Sequence, residues 1–361
     1  MSSDPLPLPD PLLTANVYCA GRLDHVLHRG VAPFWRRLRE DHPEQQAHLW
    51  CVRYPRGGEH LKIRVHAPEA LRSALRSSLE AAASAALAEL GAATTATAPP
   101  RPDGALPIDV EDEGTEGHPD ASFLWTHYRR SAVSFGGGPL LEDDRYVSLF
   151  TRCLGAGCEK ALVALQPDAQ GSVPFRARQV ALLKAIISGM STLRWSPERR
   201  SAYLAYHRNW LLRFVLTQSR QGPEMAAEWL SRFDVNVAKL GPARATLQAT
   251  ADAQWSYPVN GGDGGAAERD AGDPWRASLR ELCGYVGGFA NERSYQIDPF
   301  APDPVFQALF KALHGLGNQL GLKPFDESFT HHILLRLSPG EEHFGFSAEP
   351  SMVPGEREGH S

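Results

Sequence analysis

Leu49-Trp-Cys-Val-Arg-Tyr54, Pro55-Arg-Gly-Gly58 and His60-Leu-Lys-Ile-Arg-Val-His66 stand in succession, and how they are read decides the fold. The first run is rich in β-branched and aromatic residues, the second is a Pro/Gly turn, and the third is another strand. That third run alternates with a period of two: Leu61, Ile63 and Val65 share one face, His60, Lys62, Arg64 and His66 the other. The pattern predicts one buried face and one basic face. Pro68–Leu90 follows as a helix with proline in its first turn, and Ser122–Arg130 reads as a further strand.

Beyond about residue 140 the period changes to that of helices. Ala177–Leu193 carries a broad apolar stripe through Val180, Leu182, Leu183, Ile186 and Ile187. Ser196-Pro-Glu198 then reads as an N-cap, a proline at the first helical position and an acid in the first turn. Its helix runs through Tyr203, Tyr206, Trp210 and Phe214. Further helices are predicted at Pro223–Phe233, Pro274–Tyr285, Pro304–Leu320 and Asp326–Leu337. The expected class is α+β, a small antiparallel sheet in the N-terminal part joined to a larger helical part. We expect a single catalytic domain over 1–340, sheet-bearing over about 12–140 and mainly helical over about 141–338. The segments 92–117 and 258–273 read as loops, and 341–361 as a polar tail.

With 361 residues and 42% hydrophobic content, the chain can bury a sizeable core. Lys and Arg number 37 against 42 Asp and Glu, a net charge of −5 that argues against a dedicated nucleic-acid binder. The N-terminus lacks the basic and apolar regions of a signal peptide, and no run approaches 18 apolar residues. Five scattered cysteines suggest reduced thiols. A cytoplasmic location away from membranes is the expectation.

Searches for familiar chemical motifs narrow the field. Cys153 and Cys158 have no second Cys or His pair near them at ligand spacing. His331-His332 are adjacent, so their rings point to different faces, and no metal site is expected. Gly315-Leu-Gly317-Asn-Gln-Leu-Gly321 is one residue too long for a dinucleotide fingerprint. Phe135-Gly-Gly-Gly-Pro139 lacks the Lys-Ser/Thr of a phosphate loop, and there is no Gly-x-Ser-x-Gly elbow.

Three polar groupings remain. The face of His60, Lys62, Arg64 and His66 suits an anionic or carbonyl-rich ligand, and reads equally as a solvated sheet face. Gly284-Tyr-Val-Gly-Gly-Phe-Ala-Asn-Glu-Arg-Ser-Tyr-Gln296 combines flexible backbone with groups able to hold a carbonyl and move protons, or is a plain loop between helices. His314 lies four residues before Asn318, on the same helix face, with Gln319 adjacent to Asn318, and reads as a satisfied core histidine or a functional one.

The order of these elements carries a resemblance. Arg53-Tyr54-x-x-Gly57-Gly58-x-His60-Leu61-x-x-Arg64, a Gly-Gly-Pro segment and a late His314-x-x-x-Asn318 helix are similar to the C-terminal, glutamate-eliminating domain of lanthipeptide dehydratases and its stand-alone thiopeptide relatives. The similarity spans roughly residues 12 to 337. Elimination enzymes of that superfamily usually carry Arg-Tyr-Gly-Gly and a downstream Phe-x-x-Asp-Ser. This chain has Ser134-Phe-Gly-Gly137 and Phe150-Thr-Arg-Cys-Leu154 instead. In that respect it more closely resembles the thiopeptide pyridine synthases.

The resemblance implies a formal [4+2] cycloaddition without cofactor or metal. Two dehydroalanines of a leader-bearing, thiazole-containing precursor peptide would join, then lose water and the leader as an amide, leaving a pyridine and a macrocycle. Tyr285 and Tyr295 are candidate proton donors, Ser294 and Gln296 candidate holders of the iminol or amide oxygen, and His314 a candidate proton shuttle. His60, Lys62, Arg64, Arg293 and Asn318 are candidate substrate contacts. Aromatic residues of the helical half would stack on thiazoles, and 258–273 would act as a lid. Other enzymes of the pathway are possible partners. Two alternatives stay open: a lyase making dehydroalanine from glutamylated serine, and a non-catalytic peptide-binding partner.

Overall fold

A proline in the middle of a helix removes one hydrogen bond and crowds the turn before it, and the chain meets that problem early. Helix α1 (Leu23–Val26) passes into a π-helical turn, Leu27–Val31, and then into α2 (Ala32–Asp41), which carries Pro33. The wide turn absorbs the misfit just ahead of the ring. Its Gly30 lies so close to Ala82 and Ala86 that an added Cβ would sit 3.1 Å from the Ala82 carbonyl oxygen. The computed structural model describes residues 13–43, 47–54, 58–91, 118–126, 140, 143–165, 173–255, 272–293 and 303–338. These pack as two compact units, one formed by residues up to 181 with 315–321, the other by 182–314 with the residues from 322 onward.

The first unit holds the sheet. Strands β1 (Leu13–Tyr18), β2 (His48–Tyr54), β3 (His60–His66) and β4 (Ser122–Thr126) run antiparallel in the order β2-β3-β1-β4. The predicted hairpin is present with its expected alternation. Leu61, Ile63 and Val65 lie opposite Val17, Ala15 and Leu13 on β1, and Ile63 and Val65 opposite Cys51 and Leu49 on β2. Helices α3 (Glu69–Gly91) and α4 (Asp144–Ala164) pack against this apolar side. On α3, Leu75, Leu79, Ala83, Ala86 and Leu90 recur at helical spacing and are buried. Glu80 accepts a hydrogen bond from Trp125 on β4. On α4, capped by Asp143, the Cys158 thiol is hydrogen-bonded to Cys51.

The other face of the sheet is not a solvated surface, one of the two readings its sequence allows. His60, Lys62, Arg64 and His66 are all buried, because β3 is a central strand whose neighbours supply Thr14, Asn16, Tyr18, Trp50 and Tyr54 on the same side.

The second unit is helical among its described residues. Its elements are the later part of α5 (Phe175–Thr192), α6 (Pro197–Ser219), α7 (Glu224–Ala238), α8 (Pro242–Trp255), α9 (Pro274–Arg293), most of α10 (Pro304–Gln319) and α11 (Pro324–Leu335). The predicted start of α6 is confirmed: the Ser196 side chain accepts from the Arg199 N–H, and Pro197 opens the helix. Helix α9 corrects an expectation. The glycine-bearing stretch from Gly284, read as flexible backbone, is helical through Arg293. Trp275, Leu279, Leu282, Val286 and Phe289 form a buried stripe at helical spacing, and that burial outweighs a cost of about 1 kcal/mol for each interior glycine.

In the first unit, Gly321 ends the segment 315–321 with φ +76°, and an added Cβ would meet the Arg178 guanidinium at 2.5 Å and that of Arg53 at 3.0 Å. Gly321→Ala is therefore expected to cost about 1–2 kcal/mol for the left-handed backbone alone, with displacement of the guanidinium groups adding to it. A urea titration should show a lower midpoint with an unchanged slope.

Candidate active site

Helices α6, α10 and α11 bring five titratable side chains of the second unit into one buried cluster. On α6, Tyr203 and His207 are one turn apart, and the Tyr203 hydroxyl is 2.8 Å from His207 Nδ1. The His207 ring lies against His331 of α11, their centroids 3.7 Å apart. One turn before His331 is Glu327, whose carbonyl oxygen is 2.8 Å from His331 Nδ1. The Glu327 carboxylate turns the other way, placing Oε2 2.8 Å from Nδ1 of His314 on α10. Phe310 fills the space between the imidazoles, stacked on His314 at 5.7 Å and edge-on to His207 at 4.4 Å.

Burial and charge set the protonation of this group. Burial drives His207 well below its ordinary pKa and takes His331 down to about 4, so both rings are neutral at pH 7. Burial also pushes the Tyr203 hydroxyl up. His314 differs: burial opposes its charge, but the facing Glu327 carboxylate outweighs burial and raises the imidazole above its usual range. Glu327 is itself raised by burial, against the pull of His314. Both shifts favour keeping protons on the pair. A buried imidazole beside a carboxylate, flanked by neutral rings, is equipped to give and take one proton.

The remaining site expectations fall in several places. Tyr285 is half-buried on α9, its ring 6.3 Å from Phe289. Arg293 closes the same helix, while its side chain and the whole of Ser294, Tyr295 and Gln296 lie outside the described residues. So do most of 258–273, all of 92–117, the Ser134–Pro139 segment and the tail beyond 338.

In the first unit the buried face of the sheet holds His60, Lys62 and Arg64 together. The His60 ring lies between Tyr18 and Tyr54, with Nδ1 2.7 Å from the Gly58 carbonyl oxygen. The Lys62 ammonium sits 4.2 Å above the Tyr54 ring. On the same face, Thr14 Oγ1, Trp50 Nε1 and His66 Nδ1 are buried with no hydrogen-bond partner among the described residues.

Asn318, expected at the substrate, has a structural task. Its Oδ1 accepts from the Arg53 N–H at 2.6 Å and its Nδ2 donates to the Arg53 carbonyl at 3.0 Å, so its amide acts as a partner for the edge strand β2. Gln319 donates to the Leu154 carbonyl oxygen.

Sequence reading singled out His314 but not Tyr203, His207, Glu327 or His331 as a group. The available signals were Tyr203-x-x-x-His207 and Glu327-x-x-x-His331, two polar pairs at one-turn spacing inside otherwise apolar helices. The divergence of the adjacent histidines is as expected: His331 enters the cluster, whereas His332 Nε2 is 2.8 Å from Asp234.

Among the described residues no three His, Cys, Asp or Glu side chains are grouped so as to hold a metal ion, and no helix is long and apolar enough to cross a membrane. All five cysteines are buried thiols.

A model of the family described as lantibiotic biosynthesis dehydratase C-term matches residues 13–338. Among solved structures, the fold is similar to that of the pyridine synthase TbtD from thiomuracin biosynthesis. The TM-score is 0.59 at 16% identity, covering 91% of this chain and 97% of that one. It is also similar to the crystal structure of TsrL, with a TM-score of 0.56, 16% identity, and coverage of 91% and 94%. No curated protein sequence matches significantly.

Proposed function

The chain belongs to the family of lantibiotic biosynthesis dehydratase C-terminal domains, and from that premise we propose that it is a pyridine synthase acting on a dehydrated, thiazole-bearing precursor peptide. The observation that carries this choice is the stretch Phe150-Thr-Arg-Cys-Leu154 on α4. Where eliminating members resemble one another in an Asp-Ser pair, this chain places Cys153 and Leu154. Both are buried, and burial pushes the Cys153 thiol up to about 12. A neutral thiol and an isobutyl group supply neither the carboxylate nor the hydroxyl of that pair. The likeness in fold to a thiomuracin pyridine synthase supports the same reading.

The reaction asks little of charge and much of geometry. Holding two dehydroalanines of one chain against each other can supply an effective molarity of about 10⁵ M or more. Ring closure is followed by two eliminations, first of water and then of the leader amide. Each adds a proton to its leaving group and removes one from the ring, so a group that gives a proton and regains it ends each step as it began. We assign that task to His314, which a neighbouring carboxylate keeps chargeable near neutral pH. Tyr285 and Tyr295 are proposed as further proton donors, and Ser294 and Gln296 as holders of the iminol oxygen. Arg293 at the end of α9 is proposed to meet the peptide.

Mass spectrometry of the full chain with a synthetic leader-bearing peptide containing thiazoles and two dehydroalanines tests the reading. Release of an amidated leader, with a product lighter by that fragment and by water, is the expected result. An unchanged peptide would overturn it, and loss of glutamate from a glutamylated precursor under the same conditions would make the chain a lyase.

A further inference from the structure

We propose that Glu327 is the positioning residue for His314, holding its Nδ1 proton and the orientation of its ring, with His331, His207 and Tyr203 as the polar wall behind the pair. This rests on the reading of His314 as the proton-handling group. The geometry supports it first. Glu327 Oε2 and His314 Nδ1 are 2.8 Å apart, on side chains 1% and 15% exposed. A carboxylate can only accept there, which fixes the Nδ1 proton and the orientation of the ring.

The second support is the burden this cluster places on the fold. Glu327 Oε1, His207 Nε2 and His331 Nε2 are buried without a hydrogen-bond partner among the described residues. Buried polar atoms left unsatisfied weaken a core, and apolar side chains of the same volume would stabilise it better. A carboxylate and three imidazoles among Tyr203, Phe306 and Phe310 therefore point to a task other than stability. The wall also has a definite shape: the Tyr203 hydroxyl orients His207, the His207 ring rests on His331, and the Glu327 carbonyl orients His331.

The groups that face the pair act in different directions. His207 and His331 disfavour a second positive charge nearby, and each is lowered in part by His314. Asp326, the residue just before it in the same turn, raises Glu327. Glu327 is the group that favours charge on His314. Removing its charge while keeping its shape should bring His314 below its ordinary range, because burial then acts unopposed.

The full chain labelled at histidine Cε1 allows each ring to be titrated by NMR, with His314 assigned from a His314→Gln sample. In the parent, His314 should titrate above about 6.5, and in Glu327→Gln at least one pH unit lower, with Glu327→Asp between them. In turnover, Glu327→Gln should lower kcat by about tenfold or more with little change in KM. The fall in rate with rising pH should begin at lower pH, because the variant loses its imidazolium earlier. Equal His314 titration in parent and Glu327→Gln would overturn the proposal, as would a parent His314 that titrates below 6.5 should Glu327→Gln fail to fold. A parent chain without turnover would defeat the assigned reaction while leaving the titration to judge the pairing.

Discussion

His314→Gln is expected to bind the leader-bearing peptide as the parent does and to release leader amide about 10²–10³-fold more slowly, within the range set by losing a general acid–base group. Glutamine suits this test because its amide can still donate to Glu327 Oε2, so the buried carboxylate keeps a partner. Phe310 keeps a flat neighbour in place of the imidazole stacked on it at 5.7 Å. What disappears is the capacity to carry a proton near neutral pH. Single-turnover assays by mass spectrometry would measure the rate, and fluorescence anisotropy with a labelled peptide the binding. Unchanged rates would move proton transfer to Tyr285 or Tyr295. Equal loss of binding and rate would make His314 a structural residue. A non-catalytic peptide carrier would show neither change, because it has no turnover to lose.

Much of the architecture could be read directly, and the gaps have physical reasons. Alternation in His60–His66 and the Ser196-Pro-Glu198 cap are local signals, and both correspond to elements with nearly the predicted bounds. Strand β1 was missed because Leu13-Thr-Ala-Asn-Val-Tyr18 takes its stability from two neighbours, β3 and β4, rather than from its own pattern. Helices α1 and α2 escaped because glycine and proline disfavour helix interiors, and the π-helical turn that accommodates Gly30 and Pro33 is a tertiary solution. The start of helix α9 was legible at Pro274, but its continuation from Tyr285 to Arg293 hid behind its glycines. The character of the basic strand face was legible, but its burial depends on strand order, which no local pattern states. At the candidate site His314 was visible as an oddity on an apolar helix. Its partner Glu327 sits 13 residues away on the next helix, where it passed for an ordinary acid of a first turn.

Loss of the Asp24 carboxylate should be among the most damaging single changes to the first unit. Asp24 Oδ1 is 2.6 Å from the Arg53 guanidinium, and its other oxygen pairs with Arg178. Those two arginines also hold the end of the 315–321 segment: Arg178 donates to the Leu320 carbonyl at 2.7 Å and Arg53 to that of Gln319 at 3.4 Å. Arg53 is in turn the residue whose main chain Asn318 clasps. Asp24→Asn would leave two guanidinium groups, 15% and 10% exposed, facing each other without the charge between them. Breaking a fully buried pair costs about 3–5 kcal/mol, and with Asp24 a quarter exposed a loss of about 2–4 kcal/mol is expected. The pH dependence separates lost charge from lost packing. Burial tends to raise the Asp24 carboxyl, but the hydrogen bond and charge of Arg178, with those of Arg53, bring it below its ordinary value. A carboxyl lowered in the folded state stabilises above its unfolded pKa of about 3.9 and ceases to do so as pH falls through the folded value. The gap between parent and Asp24→Asn, measured by urea unfolding, should therefore be full at pH 7 and shrink below about pH 4. A gap that stays constant down to pH 3 would mean that Asp24 acts by shape alone, and that the clasp on β2 does not depend on its charge.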